Sequence, residues 1–181
     1  MRLLTVPAFA ALLISPPAAL HAQGDIRLGL GAGVTMPLRA YADLVDKGLA
    51  GTASLTYFPA AAAGLGFRLD GLYAHSNLSI AEGKQTQLGA TANLVFQFGA
   101  KRSPNRFYVF GGGGYIRTRS TGPGFGEVSE TNPALGLGTG FSFGAKAFGF
   151  FVEARYLSVY TDVTTKPQFA PLVAGVSFGG L

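Results

Sequence analysis

Along most of this chain, apolar and polar positions alternate with a period of two. From Leu88 to Phe98 the apolar set is Leu88, Ala90, Ala92, Leu94, Phe96 and Phe98, with Gln87, Gly89, Thr91, Asn93 and Gln97 between them and Val95 as the one departure. Successive side chains of a strand point to opposite faces, so this segment predicts a strand with one oily and one polar face. Ile26, Leu28, Leu30, Ala32 and Val34 repeat the pattern against Arg27, Gly29, Gly31, Gly33 and Thr35. Further strands are predicted over Gly48–Phe58, Gly64–His75, Phe107–Thr118, Ala134–Phe143, Phe148–Tyr160 and Phe169–Phe178. The glycines Gly111 to Gly114 blur the faces of the Phe107 strand. They lack GxGxxG spacing, so close strand packing or a bend explains them better than a phosphate cradle. The count is eight strands of about ten residues, the length at which a tilted strand crosses a bilayer.

The connections alternate in length. Met36–Lys47, Ser76–Lys84, Arg119–Asn132 and Thr161–Gln168 hold 12, 9, 14 and 8 residues, whereas Pro59–Ala63, Gly99–Arg106 and Gly144–Ala147 hold 5, 8 and 4. Long loops at one end and tight turns at the other are the habit of outer-membrane barrels, and they put both termini of the barrel on the periplasmic side. The less oily face is mostly Gly, Ala, Ser, Thr and Gln, which suits a narrow lumen and makes a poor coat against water. Aromatics gather near the short-turn ends: Tyr57, Phe96, Phe98, Phe107, Tyr108, Phe141, Phe143, Phe148, Phe150 and Phe178. They read as an interfacial girdle. The oily face is therefore expected to meet lipid, with Leu94, Phe96, Leu137, Val152 and Val176 outside and Thr91, Asn93 and Gly138 inside.

Composition agrees. Charged residues are 13% of the 181, about half the share in an ordinary soluble domain, against 48% hydrophobic. Cysteine is absent, which excludes a disulfide framework, a thiolate metal site and a Cys nucleophile. The first segment has its own logic. Arg2 precedes the apolar run Leu3–Ile14, Pro16-Pro17 breaks it, and Ala22 offers a small residue at a cleavage point. The reading is a Sec signal peptide over residues 1–22, followed by a barrel domain over 23–181. Without Arg2 the chain keeps 13 basic and 9 acidic residues, too small and scattered an excess to imply nucleic acid.

Three stretches carry a family resemblance: Phe107-Tyr108-Val109-Phe110-Gly111-Gly112-Gly113-Gly114-Tyr115, Phe151-Val152-Glu153-Ala154-Arg155-Tyr156 and Pro171-Leu172-Val173-Ala174-Gly175-Val176-Ser177-Phe178. With them the chain resembles the small outer-membrane β-barrel proteins of the OmpA/OmpX type. The resemblance implies an all-β, eight-stranded, antiparallel up-and-down transmembrane barrel in the bacterial outer membrane. It also implies contact with outer-membrane lipid and lipopolysaccharide, and handling by the barrel-assembly machinery during insertion. The last stretch is similar to the C-terminal signal read by that machinery, with Leu172, Ala174, Val176 and Phe178 on one face. It departs from the family pattern because Gly179-Gly180-Leu181 follow the aromatic.

The search for chemistry returns little. Only His21 and His75 exist, and carboxylates are scattered without ligand spacing, so no metal or cofactor site is expected. GxSxG, HExxH and Walker motifs are missing. His75-Ser76-Asn77 faintly resembles the Ser-His-acid arrangement of the lipid A deacylases, where the Ser and His are one residue apart and share a face. Here they are adjacent, which points them to opposite faces of a regular strand. A non-enzymatic structural or surface-interaction role is the expectation, with a deacylase-like hydrolase and a narrow pore or ligand-binding barrel as alternatives, and a monomer as the expected state.

The long loops hold Arg39, Lys47, Lys84, Arg119 and Lys166 against Asp43, Asp46, Glu82, Glu127, Glu130 and Asp162, a near balance that favours a solvated surface over a phosphate site. Tyr41, Leu44, Val45 and Phe125 are candidates for surface contacts or for packing back on the rim. Inside, Arg68 and Asp70 occupy inward positions of the third strand, Glu153 and Arg155 those of the seventh. With eight strands these lie on opposite walls. An interior of this size is filled by side chains, so the four are expected to meet as a network that plugs the lumen, the alternative being an ion or proton path.

Overall fold

A strand with one oily face cannot leave its edges open in a bilayer, because no water is present to satisfy the backbone there; closure into a barrel removes the edges. In the computed structural model the chain does this with eight strands: β1 Gly24–Pro37, β2 Gly48–Pro59, β3 Leu65–Asn77, β4 Lys84–Phe98, β5 Arg106–Gly122, β6 Gly126–Gly144, β7 Phe148–Val159 and β8 Gln168–Gly179. Each pairs antiparallel with its neighbours in sequence order, and β1 closes on β8. The structure describes residues 24–79, 82–99, 103–124, 126–144, 147–161 and 166–179. The predicted signal peptide over residues 1–22 lies outside them, as does Phe125.

The faces follow the alternation. Leu94, Phe96, Leu137 and Val152 are exposed on the outside, while Thr91, Asn93 and Gly138 are buried inside. Val176 is half-buried because it stands between Leu30 of β1 and Phe150 of β7, which cover its flanks. Val95, the departure from alternation, is an inward residue at 2% exposure. An outer surface of exposed Leu, Phe and Val is one that lipid solvates and water does not. Near the end that carries the termini, phenylalanines make two runs of ring contacts, Phe96–Phe98–Phe107 and Phe141–Phe143–Phe150–Phe148–Phe178, at centroid distances of 4.8–6.1 Å.

Two expectations are corrected. Tyr108 does not belong to that girdle: it is buried in the lumen, because Phe107 beside it takes the outward position. The segment Arg119–Asn132 is not a long loop. β5 and β6 stay paired through it, out to Gly122 opposite Gly126, as a ribbon that rises past the end of β7 at Val159 and stays paired with β4 as far as Thr121 opposite Lys84. Apart from Val128, its described residues are polar or small on both faces, so they carry no alternation to read. The glycines Gly111–Gly114 cause no break, since the ladder to β4 and β6 runs straight through them. Instead they permit close approach: a Cβ at Gly112 or Gly114 would overlap the Ala92 or Ala90 carbonyl oxygen.

Candidate functional site

The inward-facing charges of β3 and β7 lie at mid-height in the lumen. Arg68, Asp70, Glu153 and Arg155 are each no more than 5% exposed. Arg68 Nη1 is 2.7 Å from Glu153 Oε2, and its Nε and Nη2 are each 2.8 Å from Asp70 Oδ1. Arg155 Nη2 donates to both acids, Asp70 Oδ1 and Glu153 Oε1, at 2.9 Å. Two bases and two acids thus close a ring across the barrel, and no net charge is left in a low-dielectric space.

Neighbouring strands complete the layer. Asn93 Nδ2 of β4 donates to Asp70 Oδ2 at 2.8 Å and to Thr91 Oγ1 at 3.0 Å, and the Tyr108 hydroxyl of β5 donates to Glu153 Oε2 at 3.1 Å. All four carboxylate oxygens therefore have partners. Phe110 lies between the two arginines, with the Arg68 and Arg155 guanidinium carbons 4.5 and 4.8 Å from its ring centroid. Such cation–π contact favours a guanidinium that has lost its water. Gly138 and Gly140 of β6 make room for these rings, since a Cβ at either would overlap Phe110 or Tyr108 respectively.

The lumen differs above and below this layer. Toward the terminal end lies a cavity of about 900 Å³, lined by Arg27, Thr56, Gln97, Arg106 and Phe151 and ending on Arg68 and Glu153. Toward the ribbon end the lumen is packed with Leu72, Ile116, Ala134, Leu157, Val159 and Phe169, all 4% exposed or less. The first connection then covers this apolar plug. A 3₁₀ turn over Arg39–Asp43 tucks Tyr41 inward, where its hydroxyl bonds to Gln85 and accepts from Gln87 Nε2 at 3.1 Å. Val45 bridges to Leu78, and Ser79 Oγ donates to Asp46 Oδ1 at 2.8 Å. Burial drives the Tyr41 hydroxyl up to about 12, with the two glutamine bonds pulling the other way. Of the candidate loop contacts, Tyr41 and Val45 therefore fold back onto the rim, with Leu44 half-buried beside them.

Sequence reasoning missed Phe110, Gln85 and Gln87, and misassigned Tyr108. Parity within β5 was the available signal, because Tyr108, Phe110 and Ile116 share one face. The proposed C-terminal residues Leu172, Ala174 and Phe178 are exposed on the outer face.

Solved structures share this architecture. Neisserial surface protein A is 21% identical with a TM-score of 0.64, over 84% of this chain and 96% of that one. The N-terminal β-barrel domain of Pseudomonas aeruginosa OprF is 15% identical at 0.54, over 87% and 99%. The fold is that of the small outer-membrane β-barrels. No protein-family model and no curated protein matches the chain. Barrels of this fold include a catalyst, since the outer membrane enzyme PagL aligns at 15% identity and a TM-score of 0.52, over 85% of this chain and 98% of that one. Fold alone therefore leaves catalysis open. At the one Ser–His neighbour pair of this barrel, Ser76 is buried on the inner face, while His75 on the outer face has Nδ1 3.1 Å from Thr86 Oγ1. Adjacent strand positions separate the two side chains, as the spacing requires.

Proposed function

We propose that this chain is a Sec-exported, monomeric, non-enzymatic barrel of the bacterial outer membrane, with a structural or surface-interaction role and a lumen held shut by its own charge layer. Its terminal end faces the periplasm and its ribbon faces outward. It meets outer-membrane lipid and lipopolysaccharide along its apolar wall, and the barrel-assembly machinery inserts it through the strand bearing Leu172, Ala174, Val176 and Phe178.

The observation that carries the closed reading is the balanced ring of Arg68, Asp70, Glu153 and Arg155, backed on the outward side by the apolar plug. An ion path would need water past Ile116, Leu157 and Phe169, none of which offers it a polar group. The separation of His75 from Ser76 supports the non-enzymatic reading, because a general base must reach the hydroxyl it activates.

Cell fractionation with gel mobility tests the placement: the protein is expected in the outer-membrane fraction and as a faster-migrating band when unheated. Recovery in the soluble periplasm would overturn it. Incubation with lipid A tests the rest. Release of fatty acid, lost in Ser76→Ala, would replace the structural role with a hydrolase.

A further inference from the structure

Sorted by face instead of by loop, the charges at the ribbon end separate. Among the described strand positions that point outward from the barrel, only Lys84, Arg117, Arg119 and Glu127 are charged. All four lie on the adjacent strands β4, β5 and β6, and three of them are cations.

The ladder registers place them in rows. Tyr73, Leu88, Arg117 and Thr131 stand side by side across β3 to β6; His75, Thr86, Arg119 and Ser129 form the next row outward, and Asn77, Lys84, Thr121 and Glu127 the one after. Strands lie about 4.8 Å apart and two residues advance about 6.8 Å, so Arg119 has both Arg117 and Lys84 within roughly 8 Å, Cα to Cα. Long side chains at that spacing can close on one phosphate. The internal neutralisation is weak. Arg119 meets Glu127 at 2.8 Å, but both side chains are about half exposed, at 52% and 51%, and an ion pair of that kind is readily exchanged. Arg117 Nε donates to Ser129 Oγ at 2.8 Å, which holds its guanidinium against the wall.

Directly below lies the lipid-facing belt. Tyr115 is 65% exposed and sits one row inward of Arg117, at the level where tyrosines mark a membrane interface. Ala90 stands beside it in the same row, and beneath them Ala92, Gly111 and Gly113 leave a shallow trough in a wall otherwise studded with Leu and Phe. Cations above, an interfacial ring at the boundary and a smooth apolar surface beneath match the three parts of a phosphorylated lipid.

We propose that Lys84, Arg117 and Arg119 bind the phosphate of a phosphorylated lipid of the outer leaflet, whose acyl chains lie along the β4–β5 wall. This rests on the reading that the ribbon end faces out of the outer membrane. The test uses the full barrel in uncharged detergent micelles, titrated by native mass spectrometry with bisphosphorylated lipid A, with its dephosphorylated form and with inorganic phosphate. Wild type is expected to retain the bisphosphorylated lipid. The triple variant K84Q/R117Q/R119Q, like the dephosphorylated lipid with the wild type, should bind roughly 10- to 100-fold more weakly, given the usual contribution of each basic residue near an anionic membrane. The control R39Q/K47Q/K166Q removes three cations from loops at the same end and should stay within about twofold of wild type, whereas E127Q should bind about fivefold more tightly. Equal loss in both triple variants, or inorganic phosphate binding as tightly as the lipid, would overturn the site. Unheated gel mobility run on every variant separates the two failures: a missing compact band indicts the barrel reading, and a compact barrel indifferent to the three cations indicts the lipid site alone.

Discussion

Phe67 and Leu69 are 58% and 59% exposed, while Arg68 and Asp70, interleaved with them on the same strand, are 5% and 4% exposed. In water-soluble proteins the exposures would be reversed. The outer side chains stay exposed at no cost because lipid surrounds them, and the inner charges stay buried because each has an opposite partner across the lumen. One strand thus obeys two different solvents on its two faces. An outward charge in the belt would have to be hydrated in lipid, and an inward charge would have to be neutralised.

The most forceful way to break this contrast is to unbalance the inside. Arg155→Ala leaves Asp70 and Glu153 sharing only Arg68, and breaking a buried pair typically costs about 3–5 kcal/mol. Denaturant unfolding of the refolded barrel in micelles would read that loss, and a loss below about 1 kcal/mol, the range of exposed pairs, would show that the ring contributes little.

Next comes the outside. Leu94→Arg is expected to destabilise insertion by about 2–4 kcal/mol, measured as folding into bilayer vesicles. On the opposite face of the same strand, Thr91→Ser keeps the hydroxyl bonded to Asn93 and removes one methyl, which costs about 0.8 kcal/mol. Equal sensitivity at the two positions would erase the distinction between faces.

Packing within the charge layer gives a smaller effect. Gly138→Val drives a side chain into Phe110, and overpacking of this kind costs about 1–3 kcal/mol. Adding Phe110→Ala should restore part of the loss in a double-mutant cycle, and strict additivity would mean the two positions do not touch.

At the cap, Tyr41→Phe removes one hydroxyl and should cost about 1 kcal/mol. Its pH dependence has a definite sign. The hydroxyl is raised to about 12 from an ordinary value near 10. The folded state therefore prefers the neutral phenol, and the stabilisation is complete below pH 10 and lost as pH rises through 12. The stability gap between wild type and Tyr41→Phe should shrink across that window, with a phenolate absorbance step near 12 missing from the variant.

Much of this architecture was legible because alternation is loudest where one face meets lipid. Parity alone put Arg68, Asp70, Glu153 and Arg155 on inner positions, and the strand count set them on facing walls; the side chains meet there at 2.7–2.9 Å. Tyr108 was misread because clustering by strand end was weighed above parity, although Phe107 and Tyr108 cannot both face lipid. The fit of Phe110 against Gly138 requires the β5–β6 register, which no single segment carries. The ribbon segment Arg119–Asn132 reads as a loop in the sequence because, Val128 apart, the described residues on both its faces are polar or small, so no period of two survives there. Summing charges over loops also hid the outward block of Lys84, Arg117 and Arg119, since charges on the loops and on the other face cancelled it.

Planar-bilayer recording tests the closed lumen most directly. The account predicts no steady current from wild type or from Arg155→Ala while the apolar plug stands, and current bursts once Arg155→Ala is combined with Phe169→Ala. A steady conductance in the wild type, unchanged when Glu153 and Arg155 are both replaced by Ala, would contradict it.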